Sequence, residues 1–140
     1  MRSIAQILHD SKTVAIVGLS PKPERASHEV AAYLQQAGYQ VIPVNPNHAG
    51  ETILGETVYA SLQEAADALA PSGQRIDIVD CFRKSEDIPP IAREAIAVRA
   101  GCLWMQLDIE HQAAADLARA AGLDVVMNHC IKIEHRSLGD

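Results

Sequence analysis

A short polar segment near the start of the chain carries the residue types that hold phosphate groups. Gly18 allows the backbone to approach a ligand closely. Ser20 and Ser27 offer hydroxyl groups, while Lys22 and Arg25 supply the positive charge that a diphosphate attracts. The N–H groups at the start of the following helix would add to such an anion site. The segment therefore predicts a phosphate-binding loop, with an ordinary capped loop and solvated charges as the alternative.

The best-known phosphate motifs of nucleotide-binding proteins do not occur in this sequence. Gly18 is not followed by the second and third glycines of G-x-G-x-x-G. The second predicted strand ends in Val44, Asn45 and Pro46, and not in the acidic residue that binds the adenosine ribose of nicotinamide cofactors. The pattern G-x-x-x-x-G-K-[ST] is also missing, which disfavours a nucleotide triphosphatase. A nicotinamide-dependent reductase stays as an alternative, although the sequence lacks both the glycine-rich motif and the acidic residue that bind its cofactor.

The cysteines offer one candidate for chemistry. Cys130 follows a predicted strand end, where a neighbouring cation such as His129 or Lys132 could stabilise its thiolate for nucleophilic attack or disulfide exchange. We favour a buried structural thiol at this position. Cys81 and Cys102 lie in apolar strand sequences and are expected in the core.

Other reactive residue types form no recognisable motif. His129, Cys130 and His135 lack the second ligand pair of a structural zinc site, so no metal is predicted. No nucleophile, base and orienting acid are arranged by a motif, so no catalytic residue is assigned. The acidic residues near strand ends are expected to have capping or turn roles: Asp77, Asp80 and Asp108.

Composition excludes several classes of protein. The 140 residues are 48% hydrophobic with a formal net charge of −6, and they predict one domain over residues 1–140. The negative charge disfavours nucleic-acid binding, and no apolar segment is long enough for a membrane helix. The N-terminus lacks the apolar core of a signal peptide. Three widely spaced cysteines indicate a reducing cytoplasm.

Apolar runs alternate with helical patterns along the chain, which is typical of βαβ units on a mainly parallel sheet. Strands are predicted at residues 13–18, 40–44, 76–82, 102–106 and 124–127, with a short one at 58–59. Helices are predicted between them, and the last ten residues are expected to form a coil or a short helix. Gly38 ends the second helix, and Pro43 implies an unpaired or bulged side of its strand. Ser61 and Glu64 fit a capping box that opens the third helix.

The chain resembles the small stand-alone CoA-binding proteins, which are similar in fold to the CoA-binding domain of the succinyl-CoA synthetase α subunit. The matching motifs run in order from Thr13 to about His135: Val17-Gly18-Leu19-Ser20, Lys22-Pro23, Arg25, Ser27, Gly38-Tyr39, Val41-Ile42-Pro43-Val44-Asn45-Pro46, Ile53-Leu54-Gly55, Val58-Tyr59, Ser61-Leu62, Ile76-Asp77-Ile78-Val79, Phe82-Arg83, Trp104-Met105-Gln106-Leu107 and Cys130-Ile131-Lys132. The resemblance implies a Rossmann-like three-layer α/β/α sandwich with a mainly parallel sheet of about five strands. It also implies CoA, or an acyl-CoA, as the bound ligand.

The resemblance assigns ligand contacts by position. The phosphates would be held by the loop from Gly18 to Ser27, in which Gly18 and Leu19 are ligand-binding residues and Ser20, Lys22, Arg25 and Ser27 are direct contacts. The adenosine side would be lined by Val44, Asn45 and Pro46. A neighbouring strand would end in Val79, Phe82 and Arg83, facing the same crevice. Phe82, the only phenylalanine, is suited to packing on a ligand, although a plain core aromatic explains it equally well.

One departure from the family concerns the residues before Cys130. The chain has Asn128-His129 where an Asp-Arg pair is expected, so a salt bridge or ligand contact at this point is in doubt.

The resulting interpretation is a CoA-binding carrier, sensor or regulator without catalysis of its own. The alternatives are an enzyme acting on CoA thioesters or disulfides through Cys130, and a nicotinamide-dependent reductase. The sequence leaves the choice between CoA and acyl-CoA open, and it decides neither a protein partner nor the oligomeric state.

Overall fold

Alternating strands and helices build the fold, which is seen in a computed structural model that describes residues 1–139. The strands are β1 (Thr13–Val17), β2 (Gln40–Val44), β3 (Thr52–Ile53), β4 (Glu56–Thr57), β5 (Ile78–Cys81), β6 (Cys102–Met105) and β7 (Asp124–Val126). The α-helices are α1 (Ile4–Asp10), α2 (Ala26–Gln36), α3 (Leu62–Leu69), α4 (Ile88–Ala97), α5 (Gln112–Ala120) and α6 (Ile131–Leu138). The predicted α/β class is confirmed.

Five strands form one parallel sheet in the order β2-β1-β5-β6-β7. The chain passes from β1 to β2 on one side and returns to place β5 on the other side of β1. The topological switch point of the sheet therefore lies between β1 and β5. In open α/β sheets, ligands bind beyond the carboxyl ends of the strands at this point.

Helices cover both faces of the sheet and give three layers. Side chains of α1, α2 and α6 pack on one face, where Trp104 is the largest buried side chain. Side chains of α3, α4 and α5 pack on the other face. Because both faces are covered, strands such as β1 are buried at every position, as the apolar runs in the sequence predict. Within residues 1–139, no helix has the length and apolar character that spanning a bilayer requires.

Local sequence signals act where they are expected. Gly38 follows α2 with a φ of +100°, a left-handed conformation that glycine adopts without strain. Pro43 is accommodated because β2 is an edge strand of the sheet and is hydrogen-bonded to β1 on its inner side. Ser61 caps α3 by accepting a hydrogen bond from the Glu64 backbone, whereas the Glu64 carboxylate bonds to the Ala60 N–H and not to the cap residue.

Three features differ from, or refine, the expectation. The segment before residue 58 contains a small hairpin, β3–β4, and the last residues form α6. Asp80 has no turn or capping role: it lies inside β5, is fully buried, and neither carboxylate oxygen has a hydrogen-bond partner within residues 1–139. Asp77 does have the expected turn role, since it accepts hydrogen bonds from the Lys12 and Thr13 backbones.

Candidate functional site

Three adjoining hollows open beyond the carboxyl ends of the strands at the switch point. The phosphate-loop hollow, about 450 Å³, is lined by residues of the 18–27 loop. The β2-side hollow, about 280 Å³, is lined by Val44 and Pro46, and the β6-side crevice, about 700 Å³, by Gln106 and Cys130. Gly18, Phe82 and Arg83 are each shared by two of the three hollows. The three hollows therefore form one continuous groove, in which the phosphate loop lies between the β2-side hollow and the β6-side crevice.

Hydrogen bonds inside the phosphate loop hold its shape. Ser27 Oγ accepts from the Ser20 N–H at 3.0 Å, and Ser20 Oγ accepts from the Lys22 N–H at 3.1 Å. Asn45 Nδ2 donates to the Leu19 carbonyl at 3.0 Å and ties the loop to the end of β2. Both serines keep a hydroxyl hydrogen for a ligand, because each hydroxyl oxygen acts here as an acceptor.

The loop presents positive charge and open backbone N–H groups. Lys22 and Arg25 are exposed, line the phosphate-loop hollow, and form no ion pair with any residue that the structure describes. Helix α2 begins directly after Arg25 without a side-chain cap, so its first N–H groups point to the same hollow. His48 also lines this hollow, which sequence reasoning missed because a lone histidine in a loop carries no pattern.

The β2-side hollow receives two of the three residues that were predicted on the adenosine side. Val44 and Pro46 line it, together with Arg83, whose guanidinium lies 3.9 Å from the Asp87 carboxylate. Asn45 does not line it: the side chain is buried and bridges the Leu19 carbonyl and the Asn47 N–H. Its role is to position the loop.

Two predicted contact residues are core residues. Val79 lies within β5 between Ala15 and Leu103 and is fully buried, so the prediction that it faces the crevice is wrong. The Leu19 side chain is also fully buried, and only its backbone belongs to the loop. Phe82 and Arg83, which follow β5, do line the groove.

The β6-side crevice is the most apolar part of the groove. Val30, Phe82, Leu107 and Ile109 contribute apolar surface, and Leu107 is 53% exposed there. Cys130 lines this crevice at the N-cap of α6 and is partly exposed, so it is not the buried structural thiol that the sequence favours. Sequence reasoning assigned no ligand contact to Leu107 or Ile109, because they come from a loop whose path depends on the neighbouring strands.

Asn128 and His129, the pair before Cys130, have structural roles although they lack the charges of the expected Asp-Arg pair. Asn128 has a φ of +61°, a conformation that asparagine tolerates better than most residues, and its side chain accepts a hydrogen bond from the Asp108 N–H at 2.7 Å. The His129 carbonyl accepts from the Trp104 indole at 2.8 Å, and its ring lies 3.4 Å from Glu134. Neither residue lines the groove.

A larger hollow, about 840 Å³, lies at the opposite, amino ends of the strands. Its arginines Arg2 and Arg75 are paired with Asp124 and Asp77. Two of the three arginines that line this hollow are thus paired with acidic residues, Arg99 being the third, and the position is remote from the switch point. The groove at the carboxyl ends is therefore the better candidate despite the smaller volume of each part.

Comparison with known proteins agrees with this geometry. Residues 12–136 match the family model described as "CoA binding domain". The chain is 39% identical to the Bacillus subtilis protein YneT over 132 residues, which cover 94% of this chain and 91% of YneT. A Thermus thermophilus structure superposes with a TM-score of 0.87 at 34% identity, covering 96% of both chains. A hypothetical protein from Pyrococcus horikoshii gives 0.87 at 36% identity, covering 98% of this chain and 90% of the other. The chain thus belongs to the CoA binding domain family, as a small single-domain member with a Rossmann-like fold.

Proposed function

We propose that this protein binds coenzyme A in the groove at the switch point and acts as a cytoplasmic carrier, sensor or regulator. The observation that carries the proposal is the phosphate loop at the centre of a continuous groove. A cationic, uncapped helix start lies between a small hollow and a larger apolar crevice. CoA has the same sequence of parts: an adenosine end, a diphosphate and a long, largely uncharged arm.

The parts of CoA match the parts of the groove in order. The β2-side hollow, lined by Val44 and Pro46, would take the adenosine. Lys22, Arg25 and the first turn of α2 would bind the diphosphate. The pantetheine arm would then lie over Phe82 and enter the β6-side crevice. Because Gly18 has no side chain, the phosphate loop can pack closely against the Phe82 carbonyl, which keeps the loop between the β2-side hollow and the β6-side crevice.

Calorimetric titration tests this proposal directly. CoA is expected to bind more tightly than dephospho-CoA, and NADH is expected to give no comparable heat. Lys22→Ala and Arg25→Ala should each weaken CoA binding by about five- to thirtyfold, since each removes a charge-assisted hydrogen bond worth about 1–2 kcal/mol. Lys12→Ala is the matched control, because Lys12 precedes β1 at the opposite end of the sheet. NADH binding without CoA binding would favour the nicotinamide-dependent alternative and overturn the proposal.

Cys130 supports a second candidate function, thiol exchange on a CoA disulfide, because its side chain lines the crevice that would receive the pantetheine arm. For a binding protein, Cys130→Ala should change CoA affinity by less than about twofold, since a partly exposed thiol contributes little contact area. The native chain incubated with CoA disulfide should show no adduct by intact-protein mass spectrometry. Release of free CoA that disappears in Cys130→Ala would instead establish the exchange reaction.

A further inference from the structure

Among residues 1–139, Gln106 is the one buried polar side chain on the wall of the β6-side crevice. It directly follows β6, is only 4% exposed, and lines the crevice beside Cys130. Its Oε1 accepts a hydrogen bond from the Ile131 N–H at 3.1 Å, which satisfies the first turn of α6. The backbone N–H of Ile131 can only donate, so the amide oxygen must face it. The orientation of the side-chain amide is thereby fixed.

The amide nitrogen of Gln106 is left without an acceptor. Within residues 1–139, Nε2 donates no hydrogen bond to the chain. Three side-chain polar atoms in the described residues are both unpaired and fully buried, namely Ser11 Oγ and the two Asp80 carboxylate oxygens. Gln106 Nε2 is not one of them, so this unpaired nitrogen is accessible from the crevice. A polar group that is 96% buried as a residue, yet unpaired and open to the crevice, is placed to donate to a ligand oxygen.

One wall of the crevice beside this donor is apolar, and the charged residues of the lining are Arg83, Lys84, Glu86 and Asp87. Val30, Phe82, Leu107 and Ile109 line the same crevice, and Leu107 is 53% exposed to it and to solvent. The crevice volume of about 700 Å³ exceeds that of either other hollow of the groove, about 450 Å³ and about 280 Å³. A buried, directed hydrogen-bond donor beside an apolar wall suits a carbonyl group that carries a hydrocarbon chain.

We propose that the crevice binds the acyl end of a CoA thioester, with Gln106 Nε2 donating to the thioester carbonyl and with the apolar wall formed by Val30, Phe82, Leu107 and Ile109 covering the acyl chain. The inference rests on the proposed function, because the loop must hold the nucleotide for the arm to reach Gln106. It selects acyl-CoA over free CoA as the ligand. Cys130 lies beside the acyl carbonyl in this arrangement and takes no part in binding it.

A chain-length series measures the apolar part of the site. Free CoA, butyryl-CoA and octanoyl-CoA are titrated into the native chain, and affinity is expected to rise by about two- to fourfold for each buried methylene. Leu107→Ser should reduce this increment. Leu117→Ser is its matched control, since Leu117 is 45% exposed on α5 and lies outside the crevice.

A thioether analogue isolates the hydrogen bond. S-octyl-CoA lacks the carbonyl, so the native chain should bind octanoyl-CoA about three- to tenfold more tightly than S-octyl-CoA. Gln106→Glu keeps an oxygen for the Ile131 N–H and replaces the donor by an oxygen. The adjacent start of α6 favours its charged form. The ratio of the two affinities should therefore fall to about one or below in this variant.

The outcomes separate this inference from the function on which it rests. If free CoA binds and octanoyl-CoA binds no more tightly, the acyl site is wrong while the CoA site stands. An unchanged preference for the thioester in Gln106→Glu removes Gln106 from the site. If none of the three CoA species binds to the folded chain, both proposals fall.

Discussion

Gly18→Ala is expected to weaken CoA binding by more than about tenfold and to lower the free energy of unfolding by about 1–3 kcal/mol. Gly18 has a φ of +90°, where any other residue is strained. An added Cβ would lie 2.5 Å from the Phe82 carbonyl oxygen and 2.9 Å from Arg83 Cδ. The carbonyl belongs to the backbone after β5 and cannot turn aside. The loop and the segment after β5 would therefore move apart, at the point where the three hollows meet.

Gly38→Ala is the matched control for this prediction. Gly38 has a φ of +100°, and an added Cβ there would meet nothing within 4 Å. Its substitution should cost conformational strain of about 1–2 kcal/mol and leave CoA affinity unchanged. Chemical denaturation measures the first quantity and calorimetric titration the second. Native CoA affinity in Gly18→Ala would show that the close approach of the loop to Phe82 is not needed for binding.

Asp80→Asn is expected to remove a pH dependence of stability that the native chain carries in its core. Asp80 lies between Ile16 and Trp104 on the sheet face covered by α1, α2 and α6. Both oxygens lack a hydrogen-bond partner within residues 1–139, and burial raises the pKa of this carboxyl well above its ordinary value. The neutral form is thus favoured in the folded protein.

The raised pKa of Asp80 decides whether stability rises or falls with pH. The contribution of Asp80 to stability is fully present below the pKa of the unfolded chain, about 3.9, and is lost as pH rises through the pKa of the folded state. In that window the native chain should lose stability relative to Asp80→Asn by up to about 1.4 kcal/mol per pH unit. Urea unfolding of both chains across this range measures the difference. A difference that does not vary with pH would mean that the carboxyl gains a partner in solution.

The same carboxyl affects a neighbouring thiol. Burial raises the pKa of Cys81 well above its ordinary value, and the nearby Asp80 adds to this effect. Cys102 is also buried, and burial raises its pKa as well. These two thiols are therefore poor nucleophiles, and reagents for free thiols should modify Cys130 first.

Much of the fold follows from signals between near neighbours in the sequence. The apolar run from Thr13 predicts β1 because a central parallel strand is buried on both faces. Gly38 predicts the end of α2 because its positive φ excludes most other residues. Ser61 predicts the start of α3 because its hydroxyl satisfies a free N–H of the first turn. Each of these effects acts over a few residues, so the sequence alone specifies it.

Elements that depend on distant partners were harder to predict. The β3–β4 hairpin has strands of two residues, which are too short to form by themselves and which lie beside the edge strand β2. Helix α6 is polar overall, and it begins where Gln106 satisfies the Ile131 N–H, 25 positions away in the sequence. No local pattern records such a contact.

The sequence by itself determined the α/β class and the family resemblance. It also predicts Ser20, Lys22, Arg25 and Ser27 as the phosphate-binding residues, and these lie around one hollow in the structure. The tertiary structure decided which side chains share the groove. It buries Val79 and Asp80 inside β5 and brings Phe82, Gln106 and Cys130 to one crevice. The physical reason is that the sheet face on which a strand side chain lies depends on the register of that strand with its neighbours. The meeting of loops that are distant in the sequence depends on strand order, and the packing of the whole sheet sets both register and strand order.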